Sequence, residues 1–225
     1  MNKNIKINVV RVFINEKREY GNPVGIILDE KQKIEAKERQ IIAKKLGFSE
    51  TVFINNIKAG KISIFNPQQE CSFAMHATLG TACFINRILN SPINHVESMN
   101  ERIDVWNEKD KTWIRAKLSV LPSWNFEEYS SVSEVKDISR NDALLKKHTL
   151  VWTWLNKDKN IIRARTFAAD WGIPEDEANG SGSMLLSTKL NRPLTIIHGK
   201  GSVIYAKPFK TGFADVGGRV TEDSP

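Results

Sequence analysis

One order of apparent elements occurs twice along this chain, and such a repeat restricts the possible folds more than composition does. Strand-like runs at residues 51–54 and 61–65 lead through an irregular stretch, 68–76, into a helix of small and apolar residues, 77–89. Strand candidates at 102–106 and 112–120 follow. The same succession returns as runs at 150–155 and 161–167, a loop over 168–180, a small-residue helix at 181–190 and strands at 194–198 and 202–207. Phe65 matches Phe167 at an offset of 102, and Ala74-Met75-His76 matches Asn179-Gly180-Ser181 at 105, so three residues enter the second loop. Small residues at a buried helix start are common, so the repeat alone defines no family.

Ahead of the first copy, β-branched residues predict strands at 5–14 and 24–28, separated by the turn residues Tyr20-Gly21-Asn22-Pro23. Ile34, Ile41, Ile42 and Leu46 fall at helical spacing, and Gly47 is placed as the C-cap. The first ten residues read as strand, with no signal-peptide pattern. Residues 123–140 are polar and read as a crossover between halves. The expected domains are therefore 1–118 and 119–225, with the last strand free to return to the first domain and a frayed tail at 221–225.

Composition matters mainly for what it excludes. A chain of 225 residues with 40% hydrophobic and 26% charged content is globular rather than disordered. No apolar run approaches the roughly 20 residues needed to cross a bilayer. Thirty-three Lys and Arg against 26 Asp and Glu leave +7, but the basic residues are scattered and lack interleaved aromatics, so no nucleic-acid partner is expected. Cys71 and Cys83 fit neither a disulfide framework nor a metal knuckle, which points to a reducing cytoplasm. His95, His148 and His198 lack partners at ligand spacing, so no metal is expected. Neither Gly180-Ser181-Gly182 nor Gly199-Lys200-Gly201-Ser202 has full phosphate-loop spacing, and nothing calls for an organic cofactor. Trp152 and Trp154, at strand alternation, read as core or interface.

Four segments taken together resemble the PhzF-like phenazine-biosynthesis isomerase family, which has the diaminopimelate epimerase-like fold. They are Val12-Phe13 with Gly21-Asn22-Pro23-Val24; Ser49-Glu50-Thr51-Val52-Phe53; Phe73-Ala74-Met75-His76-Ala77-Thr78-Leu79-Gly80; and Gly172 through Ser181. Gly217-Gly218-Arg219-Val220 near the end adds to the match. The resemblance implies an α+β fold of two pseudo-symmetric domains, each an antiparallel barrel-like sheet around a central helix. It also implies an interdomain active site, both helix starts offering N–H groups to a carboxylate, and a homodimer.

This chain departs from the family's pattern in three places. Met75 stands where the family usually has glycine, Asn179 stands for the commoner threonine, and 121–150 is short. The epimerases' two facing cysteines correspond to Ala74 and Asn179, which disfavours a two-thiol racemase.

By resemblance Glu50 is the acid/base, His76 binds substrate or relays a proton, and Asp176 orients substrate or tunes Glu50. Met75, Ala77, Asn179, Gly180 and Ser181 would line the substrate site. Without the resemblance these residues have ordinary roles as well: a strand end for Glu50, a structural histidine for His76, helix capping for Asp176 and Ser181. Burial or the Asp176 carboxylate would raise the Glu50 pKa toward neutrality. The expected activity is a cofactor-independent proton shift on a small carboxylate-bearing substrate, and the competing class is a non-catalytic binding or scaffold protein.

Overall fold

The computed structural model describes residues 5–99 and 101–223. The chain opens with strands Asn8–Ile14 (β1) and Asn22–Leu28 (β2). Residues 1–4, also read as strand, lie outside the described residues, and residues 5–7 of the expected strand are not part of β1. Ala36–Leu46 (α1) ends where Gly47 takes a φ of 69° and its N–H reaches the Ala43 carbonyl at 3.2 Å, so the glycine acts as the predicted cap. Thr51–Asn56 (β3), Lys61–Phe65 (β4) and the short Glu70–Cys71 (β5) lead into Met75–Leu89 (α2). His95–Ser98 (β6), Glu101–Glu108 (β7) and Lys111–Lys117 (β8) follow.

Asn125–Glu128 (β9) and Val132–Lys136 (α3) lie within the stretch expected to be a crossover between halves, and Arg140–Leu145 (α4) begins at its last residue. The capping box of Ser131 with Glu134 is legible in the sequence, but helices of five and six residues are too short for periodicity to show. The remaining elements are Thr149–Asn156 (β10), Ile161–Ala168 (β11), Ile173–Asp176 (β12), Gly180–Leu190 (α5), Leu194–His198 (β13), Ser202–Pro208 (β14) and Phe213–Glu222 (β15). The tail expected to fray supplies Thr221 and Glu222 to β15, while residues 224 and 225 lie outside the described residues.

The chain divides into two compact units. The first takes residues up to 12, 23–114 and from 219 onward; the second takes 13–22 and 115–218. In the first, the strand order β1-β2-β3-β4-β6-β7-β8 closes through β15, which pairs with both β8 and β1. In the second, the path is β15-β14-β13-β11-β10-β9, with β12 added to β11. Each unit thus carries a barrel-like sheet and one long buried helix, the α+β layout expected. The sheets are largely antiparallel, and the parallel pairs β2–β3, β4–β6, β9–β10 and β11–β13 each have at least one helix between the partners.

The repeat extends to register. Thr51 faces Phe65 across β3–β4, and Thr149 faces Phe167 across β10–β11. Each hairpin carries a short extra strand and then its helix, with Ala74 and Asn179 as the two N-cap residues. Helix α1 packs outside the first sheet on Ile27, Phe53 and Phe65. Helices α3 and α4 do the same on Val151 and Phe167.

Small residues on α2 permit its burial. A Cβ on Gly80 would sit 2.7 Å from Val12 Cγ2 and 2.9 Å from Val10 Cγ2, both on stiff β-branched side chains. Gly80→Ala is expected to lower stability by about 1–2 kcal/mol although alanine favours helices, because overpacking outweighs propensity. Urea unfolding measures this, and an unchanged or raised midpoint would disprove the tight fit.

Candidate active site

Glu50 precedes β3, and parallel pairing of β2 with β3 fixes its backbone: the Gly25 N–H meets the Glu50 carbonyl at 3.4 Å. His76 is the second residue of α2, one position inside the helix. These elements bring Glu50 Oε2 to 2.8 Å from His76 Nε2, with side chains only 18% and 12% exposed. Ser49 Oγ lies 3.3 Å from the same nitrogen. Burial pushes the Glu50 carboxyl up, but the charge of His76 and hydrogen bonds from His76 and Ser49 outweigh it, and the net shift is downward. The direction is opposite to the raise expected from burial, because the interactions with His76 and Ser49 outweigh desolvation.

The start of α2 adds to this electrostatic setting. Ala74 has no side chain able to cap, and the first turn contains no acidic residue. The negative charge that a helix start attracts comes instead from Glu50, on another element. Met75 is buried at 5% exposure and Ala77 at 0%, so neither side chain projects into solvent.

The second unit holds the other candidates, and there they satisfy one another. Asp176 Oδ1 accepts from Asn22 Nδ2 and from the Ala178 N–H, both at 3.1 Å, and Oδ2 accepts from Asn179 Nδ2 at 3.1 Å. Asn179 Oδ1 in turn accepts the Gly182 N–H at 2.5 Å and caps α5. Ser181 Oγ accepts from Trp124 Nε1 at 2.9 Å and donates to Asn179 Oδ1 at 3.3 Å. Gly180, the first residue of α5, is buried. At α5 the Asn179 side chain, in place of threonine, takes up one of the helix-start N–H groups, that of Gly182. Asp176 does not cap directly; it holds the residue that does.

Three contributors escaped the sequence reading. Ser49 and Asn22 lay inside quoted motifs with no role assigned. Trp124 carried no signal, because its partner Ser181 is 57 residues away.

The cysteines fit no acid/base role. Burial, and then the Glu50 and Glu70 carboxylates, push the Cys71 thiol up; burial also pushes Cys83 up. Both stay protonated at neutral pH and are poor bases. Among the described residues no helix is long and apolar enough to cross a membrane.

A buried helix against a barrel-like sheet, met once in each unit, is an α+β fold of the epimerase-like kind. Within that class, the family model described as phenazine biosynthesis-like protein matches residues 10–99. An uncharacterized isomerase of Mesorhizobium japonicum is 40% identical over 75 residues, covering 32% of this chain and 24% of that protein. One of Pasteurella multocida is 33% identical over 76 residues, covering 32% and 26%. The matched stretch thus spans about a quarter of these curated relatives. A crystal structure from Clostridium difficile, described as a putative phenazine biosynthesis PhzC/PhzF protein, superposes with a TM-score of 0.77 at 16% identity, covering 97% of this chain and 98% of that one. The chain is PhzF-like: in fold throughout, and in sequence over residues 10–99.

Proposed function

We propose that this chain is an isomerase that moves a proton between carbons of a small carboxylate-bearing substrate without a cofactor. The observation that carries the proposal is the buried Glu50–His76 pair at the uncapped start of α2. The names of the two curated relatives support the reaction class.

The chemistry follows from the pair. Glu50, its pKa lowered, is a carboxylate at neutral pH and so acts first as a base. It takes a carbon-bound proton; the C–H bond breaks, its electron pair spreads into the conjugated acid, and a carboxylic acid forms on Glu50. That step neutralises the carboxylate facing His76 just as negative charge grows on the substrate. The His76 ring and the α2 dipole then stabilise the developing anion. Glu50 returns the proton to a second carbon, so the cycle consumes no oxidant and leaves no net charge. The test is incubation in deuterated water with a panel of cyclic and acyclic amino and hydroxy acids, followed by mass spectrometry of carbon-bound deuterium.

A second reading, a binding protein without turnover, is favoured by the self-satisfied polar groups around α5. Met75→Gly separates the two. It leaves a cavity and costs about 2–5 kcal/mol of stability in either case. A large rise in deuterium exchange identifies a blocked enzyme, whereas a fall places the methionine in a working pocket.

A further inference from the structure

His198 ends β13 with no exposed surface, and nothing in the proposed chemistry uses it. Both ring nitrogens are engaged: Nδ1 lies 2.8 Å from the Glu177 carbonyl oxygen, and Nε2 lies 2.8 Å from Thr166 Oγ1. A carbonyl can only accept, so Nδ1 carries the hydrogen. In the neutral ring Nε2 then accepts from the Thr166 hydroxyl.

These two contacts hold one particular turn. Thr166 is the cross-strand partner of Asp176, and Glu177 lies between Asp176 and the α5 cap, Asn179. The residues after His198 grip the same turn from the other side. Glu177 Oε1 accepts from the Lys200 N–H at 3.1 Å and from Ser202 Oγ at 2.7 Å. Gly199, with a φ of 52°, has no room for a Cβ beside the Glu177 carbonyl. A general scaffold contact would have no reason to meet this one segment three times.

We propose that His198 is a positioning residue: its neutral, Nδ1-protonated ring fixes the Glu177 carbonyl and, through it, the orientation of Asp176 and Asn179. The link to function rests on the reading of those two residues as substrate contacts; the positioning itself does not. Burial pushes the His198 pKa down and the Arg163 guanidinium pushes the same way, while Asp176, the Glu177 carbonyl and Glu175 oppose them; the net shift is downward. The neutral form that the geometry needs is therefore the form present at neutral pH.

The first test uses the unaltered protein labelled with 15N-histidine. Nitrogen shifts should show the Nδ1–H tautomer at neutral pH, and the Nε2–H tautomer would overturn the proposal. The second compares two amides: His198→Asn keeps an N–H donor where Nδ1 stands, whereas His198→Gln moves it to the place of Nε2. Hydrogen exchange at the Ala178 and Gly182 amides, which donate to Asp176 and Asn179, should quicken at least ~10-fold in the glutamine variant and stay within ~3-fold in the asparagine one. Amides within β10, which does not touch His198 in the pairing pattern, serve as the reference for global stability. Equal effects of the two variants at Ala178 and Gly182, or none, would refute positioning. If the amides respond as expected while Glu50-dependent deuterium exchange is unchanged in both, positioning stands and its link to proton transfer falls.

Discussion

Glu50→Gln is expected to lower carbon-bound deuterium incorporation by about 10²–10⁴-fold, the usual contribution of one positioned acid/base. Glutamine keeps the shape of the side chain and can still meet His76, but it cannot receive a proton. Removing the charge of one member of a buried pair is destabilising, so the variant must first be shown to fold by urea unfolding. With a folded variant, exchange within a few-fold of the parent for every compound in the panel would reject Glu50 as the base. A complete loss, with substrate still bound, would assign the proton transfer to this carboxylate and leave His76 and the α2 start to hold the anion.

Glu50 and His76 could be connected from sequence because each sits in a contiguous motif. Their distance could not, since it depends on the pairing of β2 with β3 and on where α2 begins. The apolar spacing that signals this helix starts at residue 77, whereas the structure begins it at Met75. This two-residue difference moves His76 from a loop to a helix start, where the dipole acts on it. The pKa direction depended on the same geometry. Burial of Glu50 was foreseeable from the apolar run after it, but the dominance of a facing cation over desolvation was not.

The repeat was legible because buried helices need small residues and hairpins need turn residues, and both leave marks on the sequence. It was incompletely legible where packing substitutes for propensity. Helices α3 and α4 take the place in the second unit that α1 holds in the first, each covering a sheet face through a few contacts such as Val135 and Ala143 on Val151 and Phe167. Their sequence is polar because most of their surface faces water. The self-capped start of α5 was equally hidden: Asn179 as an N-cap is readable, but the orientation of its amide is set by Asp176, and Asp176 is held by Asn22, 154 residues distant.

His76→Gln is expected to reverse the pH dependence that Glu50 imparts to stability. In the native pair the folded Glu50 pKa is below its ordinary value, so the pair contributes stability that is present above the unfolded pKa and is lost as pH falls through the folded one. Glutamine removes the cation and leaves the burial. Desolvation, already the largest single influence on this carboxyl, then acts with little opposition and carries the folded pKa above the unfolded value. A carboxyl raised in this way stabilises fully below the unfolded pKa, and its contribution declines as pH rises toward the folded one. The gap between parent and variant should therefore be about 3 kcal/mol near pH 6, the scale for breaking a buried charge pair, and should narrow on going to about pH 3.5. Urea unfolding at those two pH values measures the gap. A gap that stays constant would mean that the two groups are neighbours without electrostatic coupling, and the proton-transfer role proposed for Glu50 would lose its physical basis.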